Sequence, residues 1–250
     1  MDDATLYERP DLYDLISPPD PAMEGFYVAA AGGRGRHVLD IACGTGRFTL
    51  PIARSGAAVV GGDLSPAMLG RARQSAEAEG LAIDFAERDM RGFDIAGGPF
   101  DRILVAANSL LHLETPADFE GFFASVRRHL SPDGLLVFDV FVPSVALLAG
   151  DPDRRQLLGT FAHDTLGTLT VEETIRYDPL AQVSHIDWYW SDADGRDFWH
   201  STLRMRQIFP QELPVLLASG GLRLVERFGD FDRQPVSAQS RRQVCMCALA

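Results

Sequence analysis

Two rhythms of apolar positions run along the chain. Between His37 and Phe141, short runs rich in Val, Ile and Leu alternate with stretches in which apolar residues recur every three or four positions. These are the patterns of buried strands and amphipathic helices. His37 to Ile41 leads into Cys43-Gly44-Thr45-Gly46 and then a helical pattern, which predicts strand, tight turn and helix. Ala57 to Asp63 predicts a second strand, and Ser65-Pro66 the cap and first position of a helix to about Glu79. Leu81 to Glu87 alternates as a third strand, and Phe100-Asp101 opens a fourth that exits through Asn108 and Leu113. Thr115-Pro116 starts a helix through His129, and Ser131-Pro132-Asp133-Gly134 turns the chain into a fifth strand, Leu135 to Phe141. Strands and helices in this succession predict an α/β fold with a doubly wound parallel sheet.

After Gly159 the period becomes two. Leu169–Tyr177, Val183–Trp190 and Phe198–Phe209 alternate as strands, joined by Asp178-Pro179 and by Asp194-Gly195, the latter a strong hairpin signal. An antiparallel β-meander inserted into the parallel fold is expected, carrying Trp188, Trp190 and Trp199 with His185, His200, Arg204 and Arg206. It reads equally as a pocket wall over a bound molecule, as a homodimer surface, or as plain sheet core. Residues 210–250 predict a short helix ending at Gly220-Gly221 and two last strands. Residues 1–36 hold no strong strand, and Ser17-Pro18-Pro19-Asp20-Pro21 stops any helix there before a second helical stretch at 22–31. The organisation expected is one domain: a helical arm (1–36), a ligand-binding core (37–141), the β insertion (142–209) and closing elements (210–250).

The turn at Gly44 and Gly46 carries the first chemical signal. Glycines let a backbone approach a ligand that a Cβ would exclude, and the following helix offers N–H groups at its start. A nucleotide-like guest is expected. The dinucleotide fingerprint wants a third glycine three residues after the second, and that place is Thr49. Instead Asp40, Ala42, Gly44 and Gly46 alternate, which resembles motif I of the class I S-adenosylmethionine methyltransferases, with Ala42 in the first glycine place. Asp63, a strand-end acid about 20 residues past the glycines, suits the two hydroxyls of a ribose.

The resemblance implies more. Leu64 and Met68 would lie near the adenine, and Asp89 with the N–H of Met90 would meet its amino group and a ring nitrogen. Phe100-Asp101 followed by small residues looks like motif IV, so Ala107 would face the methionine end of the cofactor. Ligands of open α/β sheets sit outside the carboxyl ends of the strands, where Asn108 and His112 emerge. No Asn/Asp-Pro-Pro-aromatic run is present, only Asn108-Ser109-Leu110, unlike enzymes that methylate adenine or amide nitrogens. The resemblance also implies a seven-stranded, Rossmann-like sheet, a Tyr7/Tyr13 lid, and kinship with sugar and natural-product N-methyltransferases. It makes S-adenosyl-L-methionine the cofactor and S-adenosyl-L-homocysteine the product.

Composition narrows the partners. With 23 Lys+Arg against 35 Asp+Glu the net charge is -12 and no basic tail offsets it, so nucleic acid is repelled. No apolar run approaches the ~20 residues of a membrane span, and the acidic start predicts no secretory signal. Cys43, Cys245 and Cys247 have no His/Cys cluster beside them and read as buried thiols of a cytoplasmic protein, with no metal. The expected activity is methyl transfer to a small-molecule acceptor. His112 is the candidate base and Tyr7 and Tyr13 the candidate positioners; Asn108, Trp188, Trp199, His200 and Arg204 are candidate acceptor contacts. An NAD-dependent oxidoreductase and a non-catalytic S-adenosylmethionine-binding scaffold are the rival readings.

Overall fold

The computed structural model describes residues 5–18 and 20–250. The acidic start at 1–4 and Pro19 of the expected proline stop lie outside the described residues. In chain order the elements are α1 (Pro10–Ile16), α2 (Pro21–Ala31), β1 (His37–Ile41), α3 (Thr49–Arg54), β2 (Ala58–Asp63), α4 (Pro66–Ala78), β3 (Asp84–Glu87), β4 (Phe100–Val105), α5 (Pro116–His129) and β5 (Leu130–Phe141). They continue as α6 (Val145–Leu148), β6 (Gln156–His163), β7 (Gly167–Asp178), β8 (Val183–Ser191), β9 (Asp197–Arg206), α7 (Glu212–Ser219), β10 (Leu222–Phe228) and β11 (Arg242–Leu249). Short 3₁₀ turns occupy Leu6–Glu8 and Ser109–His112.

The helices begin where their caps lie. Asp20 accepts the N–H groups of Ala22 and Met23 at 3.0 and 3.1 Å, and Ser65 Oγ accepts that of Met68 at 3.3 Å. Thr115 and Asp118 cap α5 reciprocally, with Asp118 N–H on Thr115 Oγ1 at 3.2 Å and Thr115 N–H on Asp118 Oδ2 at 2.8 Å. Pro10, Pro21, Pro66 and Pro116 stand in first turns, where a missing N–H costs nothing.

The chain divides into two compact units. The larger, residues 20–142 with Ile208–Ala250, is built on a seven-stranded sheet in the order β10-β11-β5-β4-β1-β2-β3. Strands β3, β2, β1, β4 and β5 run parallel, and β11 and β10 close the sheet antiparallel. β1 lies between β2 and β4, with Asp40 paired to Gly61 on one side and Leu104 on the other. The order reverses here, so the carboxyl end of β1 is the crevice in which such sheets bind ligands. Met23, Phe26, Tyr27, Val38, Phe48, Ile52, Leu104, Val137 and Val244 form a core on one face.

The smaller unit joins residues 5–18 to Pro143–Gln207. Its sheet has the order β6-β7-β8-β9, all antiparallel. Leu6, Leu12, Leu169, Val171 and Trp190 make its core.

Three expectations change. The arm expected as one piece divides, since Leu6 and Leu12 bury in the smaller unit's core while Met23, Phe26 and Tyr27 bury in the larger. β6 was not expected, because the neighbouring Leu157 and Leu158 break a period of two; both are exposed on an edge strand whose register shifts between Leu157 and Gly159. β5 begins at Leu130, which pairs with Phe100, and 131–134 bulge before Leu135 pairs with Arg102.

Candidate functional site

The turn after β1 is built from unusual backbone. Ala42, Gly44 and Gly46 have φ of 60°, 57° and 84°, a left-handed region that L side chains resist. Cys43 N–H bonds Gly62 O, and Gly46 N–H bonds Cys43 O, both at 3.0 Å. The two glycines have different reasons. A Cβ on Gly46 would overlap Leu50 Cδ1 and press on Ala72 Cβ at 3.3 Å, whereas one on Gly44 would meet no protein atom within 4 Å. Gly46 packs the turn against its neighbours, and Gly44 faces open space.

Asp63, at the end of β2, orders this turn. Its Oδ2 accepts the Gly44 N–H and its Oδ1 the Ser65 N–H, each at 2.8 Å. Burial pushes its pKa up, and the bonds from Ser65, Gly44 and Leu64 partly offset that. A carboxylate offers about four acceptor sites, so these three bonds leave capacity for a ribose hydroxyl. Leu64 beside it is 57% exposed, an apolar surface suited to a planar base.

Two of the expected contact residues turn their side chains inward. Asp40 is 1% exposed and Met68 0%, so neither presents surface to a ligand. Asp40 Oδ2 accepts the Thr49 hydroxyl at 2.5 Å. Thr49, in the place of the absent third glycine, therefore ties the start of α3 to β1. Burial, tempered by the Thr49 bond and reinforced by the charge of Asp63, raises Asp40's pKa to about 7. Met68 packs in the core because α4 turns that face inward. Asp89 is half-buried and already paired, with Arg91 Nη2 on Oδ2 at 2.5 Å and Arg91 N–H on Oδ1 at 2.9 Å. These bonds to Arg91 lower its pKa. Met90 is buried beside it.

At the exit of β4, Ala107 and Asn108 are consecutive residues at positive φ, 57° and 63°. The 3₁₀ turn that follows ends at His112, half-buried between wholly buried Leu111 and Leu113. Two residues missed in the sequence hold this exit. Asp139 Oδ1 on β5 accepts the Ala107 N–H at 2.8 Å and the Tyr27 hydroxyl at 2.6 Å. A carboxylate inside the apolar run Leu135 to Phe141 was the available signal.

The other candidates belong to the smaller unit. Tyr7 and Tyr13 have ring centroids 5.9 Å apart. Trp188 Nε1 donates to Glu173 Oε2 at 3.0 Å. Trp199 packs on Trp190, centroids 5.5 Å apart, with the Arg9 guanidinium 5.8 Å from its ring. His200 Nε2 lies 2.9 Å from Asp187 Oδ1, and its ring stacks on Tyr189. Arg204 is exposed and paired in register with His185.

Among known proteins, residues 38–134 match the model of a methyltransferase domain. YqeM of Bacillus subtilis, a protein assigned as a methyltransferase, is 33% identical over 216 residues, covering 82% of this chain and 81% of that protein. The CcbJ methyltransferase from Streptomyces caelestis superposes with a TM-score of 0.83 at 27% identity, over 98% of each chain. An amino pentose methyltransferase from Micromonospora echinaspora involved in calicheamicin biosynthesis, solved with S-adenosylmethionine bound, shares the fold: TM-score 0.66 at 21% identity over 90% of this chain and 87% of that one. The open space over Gly44, the remaining acceptor capacity of Asp63 and exposed Leu64 fit that cofactor, and no nicotinamide dinucleotide is needed to explain Thr49. The chain belongs to the class I S-adenosylmethionine-dependent methyltransferases.

Proposed function

We propose that this methyltransferase acts on a nitrogen or oxygen nucleophile of a small-molecule acceptor by in-line displacement. The observation that carries the reading is the exit of β4 beside the switch point. There two half-buried polar side chains, Asn108 and His112, stand among the wholly buried Leu110, Leu111 and Leu113. Bound S-adenosylmethionine supplies a methyl group already activated by its sulfonium. What remains for the protein is alignment and exclusion of water, which a dry setting with few polar groups serves.

Within this reading Gly44 and Asp63 hold the nucleoside, and Asp40 acts on the turn only through Thr49. His112 accepts the acceptor's proton where the nucleophile is an alcohol or an ammonium, and Asn108 orients it. Tyr7 and Tyr13 are proposed as positioners, and Trp188, Trp199, His200 and Arg204 as acceptor contacts. A net charge of -12 favours neutral or cationic acceptors over polyanions. The amino pentose methyltransferase of the same fold supports amino sugars as the first acceptors to test.

The experiment incubates the protein with methyl-labelled S-adenosylmethionine and panels of amino sugars, aliphatic amines, phenols and quinols, beside RNA and protein fractions. Label is expected in one small-molecule class. Transfer to RNA or protein alone, or to nothing while the cofactor binds, contradicts the proposal.

A further inference from the structure

We infer that Asp139, oriented by Tyr27, is a positioning residue that sets the backbone of Ala107 and Asn108 for cofactor binding. The inference rests on the methyltransferase reading, in which the exit of β4 faces the methionine end of the cofactor.

The argument starts from a cost. Asp139 is 1% exposed and lies between wholly buried Phe138 and Val140. An apolar side chain would be cheaper there, because a buried carboxylate must be fully hydrogen-bonded to be tolerated. Its partners are unevenly distributed. Oδ1 takes both the Tyr27 hydroxyl at 2.6 Å and the Ala107 N–H at 2.8 Å; burial raises the acid's pKa, and these bonds and the Asn108 backbone partly offset that. Tyr27, 0% exposed on α2, is packed against Phe48 with centroids 5.0 Å apart. The phenol therefore has one orientation, and it fixes the carboxylate.

The other end of the bond is a strained one. Ala107 at φ 57° and Asn108 at φ 63°, ψ 9° are consecutive left-handed residues without a glycine. Each costs about 1 kcal/mol or more and persists only where its surroundings enforce it. The bond from the Ala107 N–H to Asp139 at 2.8 Å supplies that enforcement. Relaxation of this pair would redirect both the Ala107 backbone and the Asn108 side chain, and would shift the 3₁₀ turn that carries His112. A residue that only filled the core would need neither an acid nor a phenol.

The test is calorimetric titration of S-adenosylmethionine into the full chain, with circular dichroism to verify folding. Tyr27→Phe removes one oxygen and should weaken binding about fivefold, and Asp139→Ala, which removes the acceptor of both bonds, about tenfold or more, as lost hydrogen bonds of about 1 kcal/mol or more imply. Adding Ala107→Gly to either variant should restore most of the affinity, because glycine adopts positive φ without enforcement. Folded variants that bind within about twofold of wild type overturn the inference. So does a weakening that Ala107→Gly leaves untouched, since general loss of packing is not repaired by one glycine. Should Asp139→Ala fail to fold, Tyr27→Phe and its glycine double variant decide alone. If wild type itself does not bind the cofactor, the methyltransferase reading has failed. If wild type binds, and loses affinity on Asp63→Ala but not on Tyr27→Phe, only this inference has.

Discussion

The Gly44 N–H donates to Asp63 Oδ2 at 2.8 Å, so the acid that ends β2 also holds the turn that ends β1. One carboxylate thus shapes the backbone that approaches the cofactor and keeps acceptor capacity for it. Binding and folding should be separable at the two glycines of that turn.

At Gly44 a Cβ meets no protein atom within 4 Å, and at Gly46 it overlaps Leu50. Gly44→Ala should therefore cost about 1 kcal/mol of stability from its positive φ but remove most cofactor affinity. Gly46→Ala should cost about 2 kcal/mol or more by adding a clash to the same strain. Urea unfolding and calorimetry on both variants check this. Equal stability losses, or normal binding by Gly44→Ala, would contradict it.

Asp40 should make stability depend on pH. Its folded pKa of about 7 exceeds the ordinary carboxylate value of about 3.9. Between those values the folded chain holds a proton that the unfolded chain has lost. The stabilisation is complete below about pH 4 and disappears as pH rises through 7. Asp40→Asn keeps an acceptor for Thr49 and removes the titration. From pH 4 to 8 the variant should gain on wild type by an amount on the order of 4 kcal/mol, measured by urea unfolding at each pH. A difference that stays constant across the range would contradict the assignment.

His112 separates a base from a wall. If it takes the acceptor's proton, His112→Asn should lower kcat by about 10²–10⁴-fold with S-adenosylmethionine affinity unchanged. Steady-state kinetics with the acceptor found by labelling decide this. A variant that keeps kcat within about threefold and changes only acceptor KM has lost binding alone, and transfer then proceeds by positioning.

The parallel core was legible because its strands are short apolar runs ending in glycines or acids, and because Asp20, Ser65 and Thr115 cap helices through their own side chains. Gly44 and Asp63 were legible for the same local reason. β6 was not, since exposed Leu157 and Leu158 on a bulged edge strand follow no period. Tyr27 and Asp139 stand 112 positions apart, and no local pattern links a helical phenol to a strand-end acid. Asp40 was placed against the cofactor by motif position alone. Its side chain turns inward to Thr49, a direction that spacing does not encode.

The central claim is that the Gly44–Asp63 turn holds S-adenosylmethionine, and calorimetric titration of wild type and Asp63→Ala tests it most directly. Wild type should bind, and the variant, folded by circular dichroism, should bind about 10- to 100-fold more weakly, the loss expected for charge-assisted hydrogen bonds worth about 1.5–3 kcal/mol. S-adenosylhomocysteine, which carries the same ribose, should lose affinity in parallel. A folded Asp63→Ala protein with wild-type affinity for both would contradict the account.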